Sequence, residues 1–228
     1  MTKTPRRHSV ANDAEIVSNP QLRAEVEARN GLLQFDLARK MITDAIEKGS
    51  AWKLRPSAIL SLHREALIGL SGYAGNYRPS GVEIEGSQHK PVDAFLVPEL
   101  IEDLCDYVNN NWDSKTAVHL ASVVMWRLNW IHPFSDGNGR TSRMTSYLVM
   151  CVKLGLALPG QNTIPDQIVE NRTPYFEALE DADNNSTDRE FVVIKMEELL
   201  ERLLAVQLAG VMGTATGKSY LEQDRDSA

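Results

Sequence analysis

The stretch HPFSDGNGRTSR, residues 132–143, places an imidazole, a carboxylate, two glycines and two guanidiniums in one short run. The residues that follow, MTSYLVMCVKLGLAL, are apolar enough to form a buried helix, so the glycine-containing turn is predicted to lie at a helix N-terminus. Unpaired backbone amides and the positive end of the helix dipole favour anions at such a position. The stretch therefore predicts an anion-binding turn at the start of a buried helix.

Five residues of this turn suit a nucleotide phosphate. Gly137 and Gly139 are expected to adopt positive φ, which brings their own N–H groups and that of Asn138 close to an anion. Arg140 and Arg143 lie three residues apart on the first helical turn and therefore share one helix face. Together they predict a local positive site for phosphate oxygens.

Two further side chains of the stretch indicate chemistry. Asp136 stands just before the turn, where a carboxylate can hold a hard cation such as Mg²⁺ against phosphate oxygens. His132 has an ordinary pKa that allows it to accept a proton near neutral pH. We expect Asp136 to be the metal ligand and His132 the catalytic base, with Phe134 anchoring the loop in the core.

Other interpretations of the stretch fit less well. A Walker A loop needs a Lys-Ser/Thr pair and a different glycine spacing. A calcium loop would have Arg140 at its third ligand position. A simple loop-to-helix turn needs one glycine and a cap, and does not need two arginines on one face.

The stretch resembles the signature of the Fic (filamentation induced by cAMP) family, HPF-x-(D/E)-GNGR-x-x-R, at every defined position. The resemblance extends over roughly residues 71–183 and implies a Mg²⁺-dependent transfer of AMP from ATP to a Ser, Thr or Tyr hydroxyl of a target protein. The related Doc branch transfers phosphate and departs from GNGR, which this chain keeps. A Doc-like phosphotransferase, another nucleotide or phosphate transfer, de-AMPylation, and a regulatory nucleotide-binding module with little turnover stay open as alternatives.

The same resemblance implies roles for residues outside the central stretch. The segment NRTPYFEAL is similar to the part of the family that closes the adenine side of the pocket, which implicates Asn171 and Tyr175.

His63 has no partner ligands nearby in the sequence and is expected on a half-buried helix face. His89 is expected at the base of the flap described next, and is not expected to be a second base.

Residues 76–92, NYRPSGVEIEGSQHKPV, form the one stretch with a clear β pattern. Apolar and acidic residues alternate before a Gly-Ser turn, which predicts a β-hairpin. The spacing resembles the Fic flap, a hairpin that covers the active site and binds the target segment by strand addition. The residues implicated in target docking are Val82, Glu83, Ile84, Glu85, Gly86 and Ser87.

Helical periodicity dominates the rest of the chain and predicts an all-α fold, a Fic-type helical bundle with one β-hairpin flap. Predicted starts include Pro20, Pro56, Asp113-Ser114 for the helix before the loop, and about Thr187 for the last helix. The expected organisation is a flexible N-terminus (1–17), an N-terminal helical extension (18–70), the catalytic core with the C-terminal helix (71–210), and a flexible tail (211–228).

Composition narrows the expected partners and compartment. The net charge of −7 argues against broad binding to nucleic acid or anionic membranes, and no run is apolar enough to span a bilayer. Cys105 and Cys151 fall in apolar helical patterns and are expected to be buried, reduced thiols. These features predict a cytoplasmic protein.

Regulation is the feature on which the sequence says least. Many Fic proteins carry an inhibitory (S/T)-x-x-x-E-(G/N) motif whose Glu pairs with the second arginine, here Arg143, and this chain has no strict match. Glu25 and Glu27 on the first helix are the candidates for a degenerate version. A separate antitoxin-like inhibitory protein is the other expectation, and a homo-oligomer stays open.

Overall fold

The fold is described by a computed structural model that covers residues 7–10, 16–187 and 190–216. These residues form eight α-helices, two short strands and two 3₁₀ turns, which are joined by loops. In chain order they are β1 (His8–Val10), α1 (Pro20–Lys48), a 3₁₀ turn (Gly49–Ala51), α2 (Pro56–Leu67), β2 (Glu83–Glu85), a 3₁₀ turn (Ala94–Leu96), α3 (Val97–Asn110), α4 (Ala117–Ile131), α5 (Asn138–Leu154), α6 (Ile164–Glu170), α7 (Thr173–Asn185) and α8 (Ile194–Thr216). The predicted all-α architecture is confirmed.

Helices α4 and α5 pack against each other at the centre and leave residues 132–137 between them. Both helices are buried over most of their length, as their apolar sequences predict. Trp126 and Phe134 are among the largest fully buried side chains of the core. Helices α1 and α2 pack on α5, and α3 and α8 pack on α4, so the loop is held from both sides.

Helix α1 is fixed to α2 by buried polar side chains. Asn30 donates through Nδ2 to the carbonyl oxygens of Ala66 and Ile68, at 3.3 and 2.8 Å. Gln34 donates to the carbonyl oxygen of Leu62 at 3.0 Å. These bonds satisfy carbonyls in the last turns of α2, and they place the N-terminal half of α1 over the loop.

The small β structure is antiparallel and two-stranded, but only β2 lies within residues 76–92, and its partner strand comes from the N-terminal segment. Strand β2 pairs with β1, in the register His8 with Glu85, Ser9 with Ile84 and Val10 with Glu83. The expected local hairpin is therefore replaced by pairing with the N-terminal segment. Since Gly86 turns the chain at once and Ser87 N–H bonds back to the Ile84 carbonyl at 3.2 Å, the segment after β2 folds away as a tight turn.

Three element boundaries differ from the predicted ones. Helix α4 is capped by Thr116, whose side chain accepts from the His119 N–H, and not by Asp113-Ser114. Helix α8 begins at Ile194 and not near Thr187, because the Ser186 hydroxyl bonds both N–H and C=O of Val192 and closes a loop there. Residues 8–10 of the expected flexible N-terminus form a strand.

The predictions for the chain termini, the cysteines and membrane-spanning segments have different outcomes. Residues 1–6, 11–15 and 217–228, which include most of the predicted flexible termini, lie outside the described residues, and α8 continues to Thr216. Cys105 and Cys151 are both free and buried, as predicted. In the part of the chain that the structure describes, no helix combines the length and apolarity that a membrane span requires.

Candidate active site

His132 ends α4 in a left-handed conformation. Its φ is 53°, and it is the one non-glycine residue with positive φ among the described residues. Its N–H donates to the Leu128 carbonyl at 3.1 Å, and the Arg78 Nε donates to the His132 carbonyl at 2.8 Å. The end of α4 and the Arg78 guanidinium together fix the backbone of His132, and the His132 ring lines the central cavity.

The hydrogen bonds of the His132 ring define its tautomer. Nδ1 lies 3.2 Å from the carbonyl oxygen of Asn129, which can only accept, so Nδ1 carries the proton and Nε2 presents a lone pair to the cavity. Burial lowers the pKa of His132 to about 4, and the charges of Arg78 and His89 act in the same direction. The hydrogen bond to Asn129 and the Asp136 carboxylate oppose this shift. His132 is therefore neutral near pH 7, as a general base must be.

The loop after His132 rests on His63, which was expected on a half-buried face. His63 is 1% exposed, and its ring stacks on Phe134 with centroids 3.7 Å apart. Nδ1 accepts from the Gly75 N–H, so Nε2 carries the proton and donates to the Asp136 carbonyl at 3.0 Å. Phe134, 1% exposed, anchors the loop as predicted. His63 thus positions the backbone of Asp136.

The glycines of the turn have different roles. Gly137 adopts φ 76° as the N-cap of α5, and a Cβ there would lie 2.3 Å from Leu67 Cδ2. Gly139 was also expected at positive φ, but it lies inside α5 and does not adopt it. A Cβ on Gly139 would instead approach the Arg143 guanidinium at 3.0 Å. The absent side chain therefore leaves room for Arg143 beside the helix start.

The helix N-terminus offers free amides to the cavity. The first intrahelical bond runs from the Thr141 N–H to the Gly137 carbonyl, so the amides of Asn138, Gly139 and Arg140 precede it. The Gly137 N–H is engaged by the Asp136 carboxylate at 2.6 Å. The Asn138 side chain bonds both N–H and C=O of Phe134, at 2.9 and 2.8 Å, which closes the loop.

The two arginines differ in their partners. Arg140 lies 3.4 Å from the Asp136 carboxylate and 3.9 Å from Glu27 on α1. Arg143 lies beside Tyr175, and burial lowers the pKa of its guanidinium. Among the described residues no carboxylate lies within 4.0 Å of Arg143. The second arginine is therefore the one whose charge is available to a phosphate.

The candidate inhibitory residues on α1 separate. Glu27 lines the cavity and is bonded by Arg23, which also reaches the Asp136 carboxylate at 3.2 Å. Glu25 is exposed and does not line the cavity. Glu27 meets Arg140, whereas the resemblance to the inhibitory motif implied a contact with Arg143.

The flap residues lie across the cavity from α5. Ile84 and Ser87 line the cavity, and Val82 is buried beneath the strand. Arg78 holds the flap base, since its N–H bonds the Pro133 carbonyl at 2.9 Å and its Nη1 the Ser80 carbonyl at 2.8 Å. The His89 Nε2 donates to the Trp130 carbonyl at 2.8 Å, so His89 is a flap-base residue as expected.

Strand β1 brings a hydroxyl group to the His132 ring. The Ser9 Oγ lies 2.8 Å from His132 Nε2 and 3.3 Å from the Asn138 Nδ2. Because Nε2 carries a lone pair, the hydroxyl donates to His132 and accepts from Asn138. A serine from the N-terminal segment thus occupies the place where a base would remove a proton.

The far end of the cavity is lined by α7. Tyr175 is 2% exposed, lines the cavity, and its hydroxyl oxygen lies 2.8 Å from the Asn129 Nδ2. Asn171, the other residue implicated there, is exposed at the end of α6 and does not line the cavity. Arg172 lines it instead.

The cavity has a volume of about 770 Å³ and runs from the flap to α7, a size ordinary for small-molecule sites. In the described part of the chain no group of three or more His, Cys, Asp or Glu side chains is placed to hold a metal ion. At the start of α5, which we call the phosphate end of the cavity, Asp136 presents a carboxylate, and Glu27 of α1 lines the same cavity near Arg140. A single carboxylate fits Mg²⁺, which commonly takes its other ligands from substrate phosphates and water.

Several site residues were not found from the sequence. Ser9, Arg23, His63, Arg78 and Asn129 contact the loop or His132 from five different elements or segments. Arg78 falls in the family flap pattern and could have been identified there. Nothing in the sequence around Ser9 marks it.

The central part of the chain matches a known protein family. The model described as "Fic/DOC family" matches residues 53–150. A protein adenylyltransferase of Caenorhabditis elegans is 26% identical over 190 residues, which cover 75% of this chain and 35% of that protein. A protein adenylyltransferase of Drosophila willistoni is 30% identical over 150 residues, covering 60% and 29%. The chain thus spans about a third of the length of these curated relatives.

Solved structures show the same fold. A Fic domain containing signaling protein from Bacteroides thetaiotaomicron superposes with a TM-score of 0.70 at 21% identity, over 89% of this chain and 77% of that one. A Fic protein of C. elegans superposes with a TM-score of 0.67 at 19% identity, over 89% and 55%. At these identities the likeness concerns the fold.

Proposed function

The chain belongs to the Fic/DOC family, and on that premise we propose that it transfers AMP from ATP to a hydroxyl side chain of a protein. Distant relatives at 26–31% identity carry the name protein adenylyltransferase, which supports a transferase of this type. Because the chain spans only about a third of those relatives, the acceptor and the partners are inferred from the geometry of the site.

The observation that carries the proposal is a hydroxyl on a neutral imidazole beside an anion-binding helix end. The Ser9 Oγ lies 2.8 Å from His132 Nε2, and the same cavity contains the start of α5. Base, hydroxyl and phosphate site must meet in one place for transfer to a hydroxyl. A site that only bound a nucleotide would not need the base to face a hydroxyl.

The proposed reaction follows from these positions. As the acceptor oxygen bonds to the α-phosphorus, its proton passes to His132 Nε2. The bond from the α-phosphorus to its bridging oxygen breaks, and pyrophosphate leaves with the electron pair. The amides of Asn138 and Gly139 and the Arg143 guanidinium would hold the negative oxygens.

Asp136 is proposed to hold Mg²⁺ together with the nucleotide. The bound ion would neutralise charge on the phosphate oxygens. In the structure both carboxylate oxygens of Asp136 contact protein donors, namely the Gly137 N–H and the guanidiniums of Arg23 and Arg140. Those donors hold the carboxylate at the rim of the phosphate end.

The flap is proposed as the place where an acceptor segment docks. The edge of β2 that pairs with β1 faces the base, because Ser9, which pairs with Ile84, reaches His132 from it. A segment added to this edge is bound through its backbone, and its side-chain hydroxyl then reaches the cavity. A target protein would take this edge in place of β1. A separate inhibitory protein is proposed as a further partner, since Arg143 carries no carboxylate from the described residues.

Mass spectrometry after incubation with Mg-ATP in a cell lysate tests the proposal. We expect a mass gain of AMP on protein hydroxyls, absent when His132 is replaced. A gain of phosphate instead would identify a phosphotransferase, and loss of AMP from a modified protein would identify the reverse activity. ATP binding without any modified protein would contradict the transferase proposal and leave a nucleotide-binding module.

A further inference from the structure

The hydroxyl on the candidate base belongs to the chain itself. β1 forms the antiparallel pair with β2 that an acceptor segment is expected to form, and Ser9 is the central residue of the three paired positions. Alternate side chains of a strand point to opposite faces. In this register the Ser9 side chain faces His132, while Val10 is 56% exposed.

The Ser9 hydroxyl is held as an acceptor would be. It donates to His132 Nε2 at 2.8 Å and accepts from the Asn138 Nδ2 at 3.3 Å. One neighbour can therefore take the proton, while the other orients the oxygen at the start of α5. The lone pair that is not engaged by Asn138 is available for attack on a phosphorus atom.

Arg7, the residue just before β1, also holds the N-terminal segment in place. The Arg7 guanidinium forms an ion pair with Glu180 on α7, and it lies 4.5 Å from the centre of the Phe176 ring. A cation over an aromatic face and a carboxylate partner both stabilise the segment outside the strand pairing. The strand is thus held at two places, the flap and α7.

The bound segment leaves space for a nucleotide. The cavity of about 770 Å³ is bounded by Arg7 and Ser9 and also by Gly137, Arg140 and Arg143. This space is therefore present with β1 paired to the flap. An inhibitory segment that filled the phosphate end would remove the space, whereas an acceptor segment must leave it open.

We propose that Ser9 is a modification site of this protein, an acceptor to which the chain transfers AMP within the same molecule. The inference rests on the proposed function and names an acceptor for it. The Ser9 Oγ–H bond breaks and its proton goes to His132 Nε2, the Oγ bonds to the α-phosphorus of ATP, and pyrophosphate leaves with the electrons of the broken phosphoanhydride bond. The products are a Ser9 phosphodiester of AMP, pyrophosphate and one proton.

The test is peptide mapping of the purified full chain after incubation with Mg-ATP. We expect AMP on the Ser9 peptide, with a rate constant that does not change on about tenfold dilution of the protein, because an intramolecular acceptor has a fixed effective concentration. Ser9→Ala keeps the backbone pairing but removes the hydroxyl, so it should lose the modification. Ser9→Thr should retain it. Ser18→Ala, at an exposed serine outside the cavity, is the matched control and should behave as the unchanged protein.

The outcomes separate this inference from the proposed function. AMP on another residue with Ser9 unmodified, or an undiminished gain in Ser9→Ala, would overturn Ser9 as the acceptor and leave AMP transfer in place. The same holds if lysate proteins gain AMP but the chain itself does not. Phosphate on Ser9 would support the acceptor and overturn AMP as the transferred group. No modification of any protein, with ATP bound, would overturn both.

Discussion

The two ends of the cavity are built in opposite ways. The phosphate end consists of consecutive residues from Asp136 to Arg143, held where a buried helix begins. The hydroxyl end joins Ser9 to His132 across 123 residues of sequence. The first is fixed by the helix and its packing. The second depends on a three-residue strand pair and on the contacts of Arg7 with Glu180 and Phe176.

This difference predicts different responses to perturbation. Contacts within a short stretch form together with the core, whereas an edge strand can detach while the core stays folded. An enzyme that must exchange acceptors needs the hydroxyl end to open and the phosphate end to stay fixed. A substitution at one end should therefore leave the function of the other end measurable.

Replacing His132 should give the largest effect and should leave the phosphate end intact. We choose His132→Asn because Asn tolerates the left-handed conformation that the residue adopts. AMP transfer should fall about 10²–10⁴-fold, the usual contribution of a general base. Calorimetry should find ATP affinity nearly unchanged, as it should for His132→Ala. Loss of ATP binding together with activity would contradict the role of His132 as a base that acts on the acceptor.

Gly137→Ala should damage the phosphate end. Its Cβ would lie 2.3 Å from Leu67 Cδ2, and its φ of 76° is unfavourable for alanine. We expect a loss of about 2–4 kcal/mol in stability, from strain and overpacking together, and weaker ATP binding.

Gly155→Ala is the matched control for this change. Gly155 has φ 73° at the end of α5, but a Cβ there meets no atom within 4 Å. Gly155→Ala should therefore lose only about 1–2 kcal/mol of stability, from the strain of a positive φ, and should bind ATP as tightly as the unchanged protein. Equal losses in denaturant melts of the two variants would contradict the packing role of Gly137.

The pH dependence of transfer should report the environment of the base. Burial is the first cause of the lowered His132 pKa, so the neutral form that accepts a proton persists well below pH 6.5. Activity should stay level as the pH falls from 7 and decline only as it drops through about 4. Arg78 and His89 favour this direction, while Asn129 and Asp136 oppose it. A decline centred near pH 6.5, in protein that circular dichroism shows to be folded, would contradict a buried neutral base.

Glu27 should have the smallest effect. It lies 3.9 Å from Arg140, and its side chain is 38% exposed. Ion pairs of this kind are worth up to about 1 kcal/mol, so Glu27→Gln should raise transfer by about fivefold at most. Glu25→Gln, at an exposed position outside the cavity, should change nothing. A rise of about a hundredfold for Glu27→Gln would mean that α1 controls the site far more strongly than this contact allows.

The contrast between the two ends also explains what the sequence could predict. The residues from His132 to Arg143 are neighbours in the chain, so their types and spacing indicate both the turn and its chemistry. The pattern did not distinguish the two glycines, because the positive φ falls on Gly137 alone once α5 begins at Asn138. Asn171 was misplaced because α6 ends there and turns it outward to solvent.

The hydroxyl end was not predictable in the same way. The pattern of β2 predicted a strand but could not indicate its partner, since an edge strand accepts any backbone in extended conformation. His63 holds the loop through the backbone carbonyl of Asp136, and such a contact has no sequence signature. Ser9 is an ordinary serine until β1 pairs with β2.

A crystal structure of the full chain with a non-hydrolysable ATP analogue and Mg²⁺ tests most directly whether the two ends serve one reaction. We expect β1 in place and the α-phosphorus about 3–3.5 Å from the Ser9 Oγ, with the bond to the leaving oxygen in line. The triphosphate should lie along the start of α5, with Arg143 bound to it. A γ-phosphorus at the Ser9 Oγ, or a nucleotide that expels β1 from the flap, would contradict the account.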